Sequence, residues 1–193
     1  SNKGLYDLRL AISRYLKNKF SLSYNPDQNI LVTTGVSEAV DLALRAILNK
    51  GDKILVPDPS YVSYGPISEL AGGKVILVKT TEADGFKLTP NLLKKYVSKD
   101  VKAIVINYPA NPTGVSYTRK ELLALSKIFV DNGLIVISDE IYDELTYDFS
   151  HTPLATLPGM KQRTIYLNGF SKAFAMTGWR VGYACGPEEI ISA

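Results

Sequence analysis

Cysteine and histidine are almost missing from this sequence, since each occurs once in 193 residues. Cys185 has no partner for an intrachain disulfide, a composition typical of reducing compartments, so a cytoplasmic protein is predicted. His151 occurs in a polar segment without a second histidine, and this disfavours catalysis centred on histidine. No metal site is predicted.

Long apolar runs and clustered charge are missing as well. No stretch approaches the length of a membrane span, and the first residues lack the pattern of a signal peptide. The 22 basic and 19 acidic residues give a net charge of +3 and are spread along the chain. We therefore predict neither a membrane nor a nucleic-acid partner.

Two glycine-rich nucleotide-binding patterns, Gly-x-Gly-x-x-Gly and Gly-x-x-x-x-Gly-Lys-Ser/Thr, are also missing. Without the first, a nicotinamide-dependent dehydrogenase is disfavoured. Without the second, the pair Asp139-Glu140 loses its interpretation as the magnesium site of a nucleotide hydrolase. Asp143 and Glu144, a little further along, are interpreted as solvated acidic residues.

The sequence does contain a regular alternation of strand-like and helix-like segments. Segments with apolar residues at helical spacing lie between most of the strand candidates. One helix is predicted to begin at the capping box formed by Thr118 and Glu121. This alternation predicts an α/β fold, with a mainly parallel, mixed sheet flanked by helices on both faces. The strand candidates are the apolar runs at 29–33, 53–56, 74–78, 101–106, 134–137, 164–167 and 179–185.

The segment 168–182 holds one lysine among aromatic residues. Phe170, Phe174 and Trp179 surround Lys172 in the sequence and are expected to be buried. Burial would lower the pKa of the amine and make it a usable nucleophile. The alternative is a lysine that extends from a half-buried turn into solvent. The residues alone leave both interpretations open.

The spacing Ser171-Lys172, five residues, then Gly178-Trp179-Arg180 resembles the cofactor-lysine signature of class I/II aminotransferases. These are fold-type-I enzymes that depend on pyridoxal 5'-phosphate, and the run is similar to their prokaryotic aspartate and aromatic branch. The resemblance implies that Lys172 forms a Schiff base with the cofactor and serves in catalysis. It also implies that Arg180 binds the cofactor phosphate.

A second part of the implied phosphate site is a strand-to-helix turn. The start of a helix offers free backbone N–H groups to an anion, although every α/β protein contains such joints. In the resembled family the turn that matches Gly35, Val36 and Ser37 holds the phosphate. Many relatives also carry a serine at the position of Gly169, so one phosphate contact is in doubt.

Four further residues match positions around the cofactor ring in the resembled family. Tyr61 matches the aromatic residue that stacks on the ring. Asn111, in Asn-Pro-Thr-Gly, matches the asparagine that binds the phenolic oxygen, although an asparagine there can also cap its own turn. Asp139 matches the aspartate that pairs with the pyridine nitrogen, and Tyr142 matches a tyrosine near the phenolic oxygen.

The resemblance implies an aminotransferase of amino-acid metabolism or biosynthesis that acts on an L-amino acid and a 2-oxo acid and forms a homodimer. Residues 1–193 match the cofactor-binding large domain of that family. An N-terminal segment and a C-terminal small domain of the family lie outside them, so this chain alone is expected to be inactive. Two alternatives stay open: a lyase on the same scaffold, such as a carbon–sulfur β-lyase, and the aminotransferase-like effector domain of a transcription regulator.

Overall fold

A seven-stranded mixed sheet forms the centre of the molecule in the computed structural model, which describes residues 2–193. The strands are β1 Ile30–Thr33, β2 Lys53–Asp58, β3 Lys74–Lys79, β4 Val101–Asn107, β5 Ile135–Asp139, β6 Thr164–Gly169 and β7 Gly182–Cys185. Their spatial order is β1-β7-β6-β5-β4-β2-β3. β7 runs antiparallel to both of its neighbours, and the other pairs are parallel.

Helices cover both faces of the sheet. The predicted capping box is present at the start of the fifth helix, where Thr118 and Glu121 exchange side-chain and backbone hydrogen bonds. The α/β fold with a mixed sheet and helices on both faces is therefore confirmed. The helices are α1 Tyr6–Phe20, α2 Gly35–Ile47, α3 Tyr64–Leu70, α4 Pro90–Leu93, α5 Arg119–Asp131 and α6 Glu188–Ile191.

Successive side chains of the central strands pack alternately into two separate cores, one on each face of the sheet. On one face, Ala103 and Val105 of β4 pack with α2, α3 and α6. On the other, Ile104 and Ile106 pack with α4 and α5, while α1 covers the β1, β7 and β6 end of that face. Because β5 alternates in the same way, consecutive residues at its end project to opposite faces of the sheet.

The carboxyl ends of β2, β4, β5 and β6 meet at one edge of the sheet. β1 also ends there, because Thr33 pairs with Gly182 at the start of β7, and Gly182 pairs in turn with Gly169 at the end of β6. The start of α2 is thereby brought to the same edge. Ligands of open α/β sheets bind at this edge, so the fold predicts a ligand site here.

The last predicted strand is wrong at its start. Residues Thr177–Trp179 form a short 3₁₀ turn, and β7 begins only at Gly182. The reason is local: Arg180 has a φ of 52°, a left-handed conformation that cannot continue a strand. Within residues 2–193, none of the helices has the length and apolar character that crossing a membrane requires.

Candidate active site

A cleft of about 320 Å³ opens at this edge of the sheet. Its walls come from the start of α2, the ends of β4 and β5, and the loop between β6 and β7. Gly35 is buried against Arg180. The other eight residues of the predicted site line the cleft: Val36, Ser37, Tyr61, Asn111, Asp139, Tyr142, Lys172 and Arg180.

The first turn of α2 and Arg180 form the side of the cleft that can receive an anion. The first N–H groups of a helix have no acceptor within the helix and are free to donate to a ligand. Gly35 has a φ of 73°, and a Cβ at this position would overlap Nη2 of Arg180. Glycine therefore lets the guanidinium lie directly against the helix start. Backbone N–H groups and a guanidinium together suit the oxygens of a phosphate.

Two further glycines bring β7 close to α2. A Cβ on Gly182 would lie 2.5 Å from the carbonyl carbon of Gly35, and a Cβ on Gly169 would lie 2.9 Å from Cα of Gly182. The close packing of these backbones places the loop that carries Arg180 over the start of α2. It also explains the departure at position 169, because a serine there would require the backbone of β7 to shift.

Asp139 ends β5 and is buried beside the cleft, on the face that α2 and α3 cover. Its Oδ2 accepts a hydrogen bond of 2.6 Å from the hydroxyl of Tyr64, and its Oδ1 accepts one of 3.2 Å from the backbone of Ile141. Burial raises the pKa of the Asp139 carboxyl from 3.8 to about 6; the two hydrogen bonds act to lower it, and the charge of Glu140 adds to the rise. A cationic partner would favour the ionised form of this desolvated carboxylate.

The loop after β4 supplies the opposite wall. Asn107 donates through Nδ2 to the carbonyl of Asp139 at 2.8 Å and accepts at Oδ1 from the backbone of Asn111, also at 2.8 Å. These bonds tie the loop to the end of β5. Asn111 and Tyr142 both line the cleft, and Nζ of Lys172 lies 5.5 Å from the centre of the Tyr142 ring. The lysine amine therefore lies near Tyr142, in the cleft that Asn111 also lines.

The expected burial of the lysine segment is wrong. Lys172 is exposed, and Phe174 and Trp179 keep 53% and 72% of their surface accessible. The loop between β6 and β7 passes over the edge of the sheet, so most of its side chains point away from both cores. Of the three aromatic residues, Phe170 packs inward, with its ring 6.1 Å from that of Tyr183. The alternative, a lysine that extends from a turn, describes the structure better.

Sequence reasoning missed Tyr64 and Asn107 as members of the site. The Tyr64 side chain is almost fully buried, bonds directly to Asp139, and packs edge-to-face on Tyr61 with ring centres 5.5 Å apart. The pKa of its hydroxyl is raised well above 10, first by burial and then by the charge of Asp139. Tyr64 and Asp139 are far apart in the chain, and no local sequence pattern predicts their contact.

The sequence matches the family described as aminotransferase class I and II over residues 1–193. The chain belongs to the class I and II aminotransferases. Among its relatives in this family, the Bacillus subtilis protein YugH, provisionally named an aminotransferase, is 50% identical over all 193 residues of the chain and 50% of its own length. The aspartate aminotransferase of Pyrococcus abyssi is 45% identical over 98% of the chain and 49% of its own length.

Solved structures of aminotransferases share this fold. The aromatic aminotransferase of Pyrococcus horikoshii OT3 superimposes with a TM-score of 0.96 at 45% identity, over 99% of this chain and 51% of that one. The chain therefore spans about half the length of the aminotransferases that it matches. The match to YugH extends over the whole of this chain.

Proposed function

We propose that this chain is the cofactor-binding large domain of a pyridoxal-phosphate-dependent aminotransferase, which transfers an amino group between an L-amino acid and a 2-oxo acid. The observation that carries the proposal is the convergence of Lys172, Asp139 and Arg180 on one cleft. They provide an amine, a buried carboxylate and a phosphate-binding cation. Together these are the groups that the cofactor requires of its protein.

The cleft fits the phosphate end of the cofactor. Gly35 leaves room for the guanidinium of Arg180 where a side chain would fill it, and the guanidinium lies against the N-terminal turn of α2. Val36 and Ser37 follow in that turn and line the cleft. We infer that these backbone N–H groups and Arg180 hold the phosphate, with the helix dipole adding to the attraction.

The cleft also fits the ring. Asp139 offers a buried carboxylate that gains from a cationic partner, so it would hold the pyridine nitrogen in its protonated form. Tyr64 orients that carboxylate through the bond to Oδ2. We infer that Tyr61 packs against a ring face and that Asn111 and Tyr142 donate hydrogen bonds to a phenolic oxygen, because all three line the cleft.

The bound cofactor would act as an electron sink that stabilises negative charge on the substrate Cα. Lys172 would then have two tasks in this chain: to bind the cofactor covalently and, once substrate has displaced it, to carry a proton to and from the substrate Cα as a general base and acid. Its exposed position on a loop over the cleft gives Nζ the freedom that both tasks need.

The remainder of the proposal concerns the whole protein. We expect it to be a cytoplasmic homodimer of amino-acid metabolism, with further protein covering the exposed Trp179 and Phe174 on the loop that carries Lys172. Size-exclusion chromatography with light scattering on the full-length protein tests the dimer. Amino-group transfer to 2-oxoglutarate, assayed over a panel of L-amino acids, tests the reaction. Release of ammonia and a 2-oxo acid without an amino acceptor would instead favour the lyase.

A further inference from the structure

Glu140, the residue after Asp139, is a fully buried carboxylate on the other face of the sheet. Its Oε1 accepts hydrogen bonds from the hydroxyl of Ser138 at 2.7 Å, from the hydroxyl of Tyr108 at 3.0 Å and from the backbone of Leu154 at 3.1 Å. Its Oε2 lies 2.6 Å from Nε2 of His151. Every one of these partners is a protein group, so the orientation of the carboxylate is fixed by the fold.

His151 completes this network. Its ring stacks on that of Tyr108, with centres 5.1 Å apart and planes at 24°, and its edge meets Phe20 of α1. Nδ1 is buried and has no hydrogen-bond partner among the described residues. A proton on Nε2 therefore satisfies the contact with Glu140, and we assign the tautomer in which Nε2–H donates.

The network joins the segments that carry the candidate site. The Tyr108 hydroxyl bonds to Glu140, and the Tyr108 backbone N–H donates to the carbonyl of Asp139 at 3.2 Å. The neighbouring Asn107 bonds to the same carbonyl and to Asn111. Glu140 itself donates its backbone N–H to Leu167 of β6 at 2.9 Å. The ends of β4, β5 and β6 are thus tied together directly behind the cleft.

We propose that the Glu140–His151 pair is a positioning device for the cofactor site, which holds the end of β5 that carries Asp139 in register with the β4 loop that carries Asn111. The inference rests on the proposed function. Glu140 does not line the cleft and acts through its neighbours. Its fixed negative charge has a second effect, because it contributes to the raised pKa of Asp139 on the opposite face.

Two variants of the full-length protein separate positioning from general stability. Glu140→Gln removes the charge and keeps an oxygen for the Leu154 N–H, and His151→Phe keeps a ring against Tyr108 but loses the bond to Glu140. Leu125→Ala leaves a cavity in the core that α5 covers, and it serves as the control for a loss of folding stability without a change in the network. Each protein is stripped of cofactor, and its melting temperature and its Kd for pyridoxal phosphate are measured from pH 5 to 8.

The titratable groups near the pair stay unchanged in all three variants. They are Asp139 at the end of β5, Tyr108 just after β4, Asp143 and Glu144 in the turn after β5, Tyr166 of β6, Tyr24 before β1 and Lys19 of α1. We expect the two network variants to raise the Kd for pyridoxal phosphate about tenfold, since each removes the charge-assisted hydrogen bond between Glu140 and His151. The double variant Glu140→Gln, His151→Phe should bind pyridoxal phosphate no more weakly than the single variant with the higher Kd, because both substitutions disrupt one network.

The pH dependence of the Kd for pyridoxal phosphate is a readout that loss of packing alone would not change. Cofactor affinity should decrease at acid pH as Asp139 becomes protonated, and this part of the pH profile is its acid limb. Without the charge of Glu140 the pKa of Asp139 falls, so the acid limb should move to lower pH in Glu140→Gln. Leu125→Ala should lower the melting temperature but leave the Kd and the acid limb within twofold of wild type. If Glu140→Gln leaves both the Kd and its pH dependence unchanged, the positioning inference is overturned and the proposed function still stands. A wild-type protein that binds no pyridoxal phosphate would overturn the proposed function and this inference with it.

Discussion

Replacing Asp139 with asparagine should stabilise the cofactor-free protein at alkaline pH while weakening its hold on the cofactor. The fold keeps Asp139 buried, and burial raises the pKa of its carboxyl from 3.8 to about 6. That rise corresponds to about 3 kcal/mol by which folding is disfavoured once the carboxyl is ionised in both states. Asparagine carries no charge and avoids this cost.

The sign of the pH dependence follows from proton binding. Between pH 3.8 and about 6, the folded protein holds a proton on Asp139 that the unfolded chain has lost. The free energy of unfolding therefore falls as pH rises through this window, and the full cost is present above it. Below pH 3.8 both states are protonated, so the advantage of asparagine should disappear there.

Asparagine can also keep the hydrogen bonds. Its Oδ1 can accept from the backbone of Ile141, and its Nδ2 can donate to the hydroxyl of Tyr64, which rotates to become the acceptor. We therefore expect Asp139→Asn to raise the free energy of unfolding by about 1–3 kcal/mol at pH 8 and by almost nothing at pH 4. Loss of the charged partner of the ring nitrogen should weaken cofactor binding roughly 10- to 150-fold.

Urea unfolding of the cofactor-free full-length protein, followed by fluorescence at pH 4, 6 and 8, measures the stability change. Asp148→Asn, at an exposed loop position, is the matched control and should show no such pH dependence. An Asp139→Asn variant that is no more stable than wild type at pH 8 would refute the argument from burial. An advantage that persists unchanged at pH 4 would refute it equally.

Three further outcomes follow from particular contacts. Lys172→Ala should abolish borohydride trapping of the cofactor yet change the melting temperature little, because Lys172 is exposed. Gly35→Ala and Gly51→Ala both place a side chain at positive φ, but only the first crowds Arg180, so only Gly35→Ala should weaken pyridoxal-phosphate binding, as isothermal calorimetry would show. Thr118→Ala removes the N-cap of α5 and should cost about 1 kcal/mol in urea unfolding without altering cofactor affinity.

The strand and helix alternation could be predicted because each element carries its own pattern. β4 is apolar from Ala103 to Ile106 and β5 from Ile135 to Ile137, a pattern typical of strands buried on both faces, and a capping box marks the start of α5. The antiparallel direction of β7 could not be predicted in the same way, since an apolar run does not encode the direction of its neighbours.

The candidate site divides along the same line. Lys172 and Arg180 could be predicted because they stand in one short motif with fixed spacing. Tyr64 could not, because its bond to Asp139 joins distant parts of the chain. The interpretation of Asp143 as solvated is wrong: its side chain is buried, burial raises the pKa of its carboxyl, and Lys19 of α1 lies 3.8 Å away. Tertiary packing decides such cases, and a local acidic pattern cannot reveal it.

The central claim is that Lys172 binds pyridoxal phosphate covalently in this cleft. The most direct measurement is the visible absorbance of the full-length protein after addition of pyridoxal phosphate, followed by borohydride reduction and peptide mass mapping. The account predicts a pH-sensitive absorbance band and a reduced adduct on Lys172, both lost in Lys172→Ala. No band, or an adduct that maps to other lysines and persists in Lys172→Ala, would contradict it.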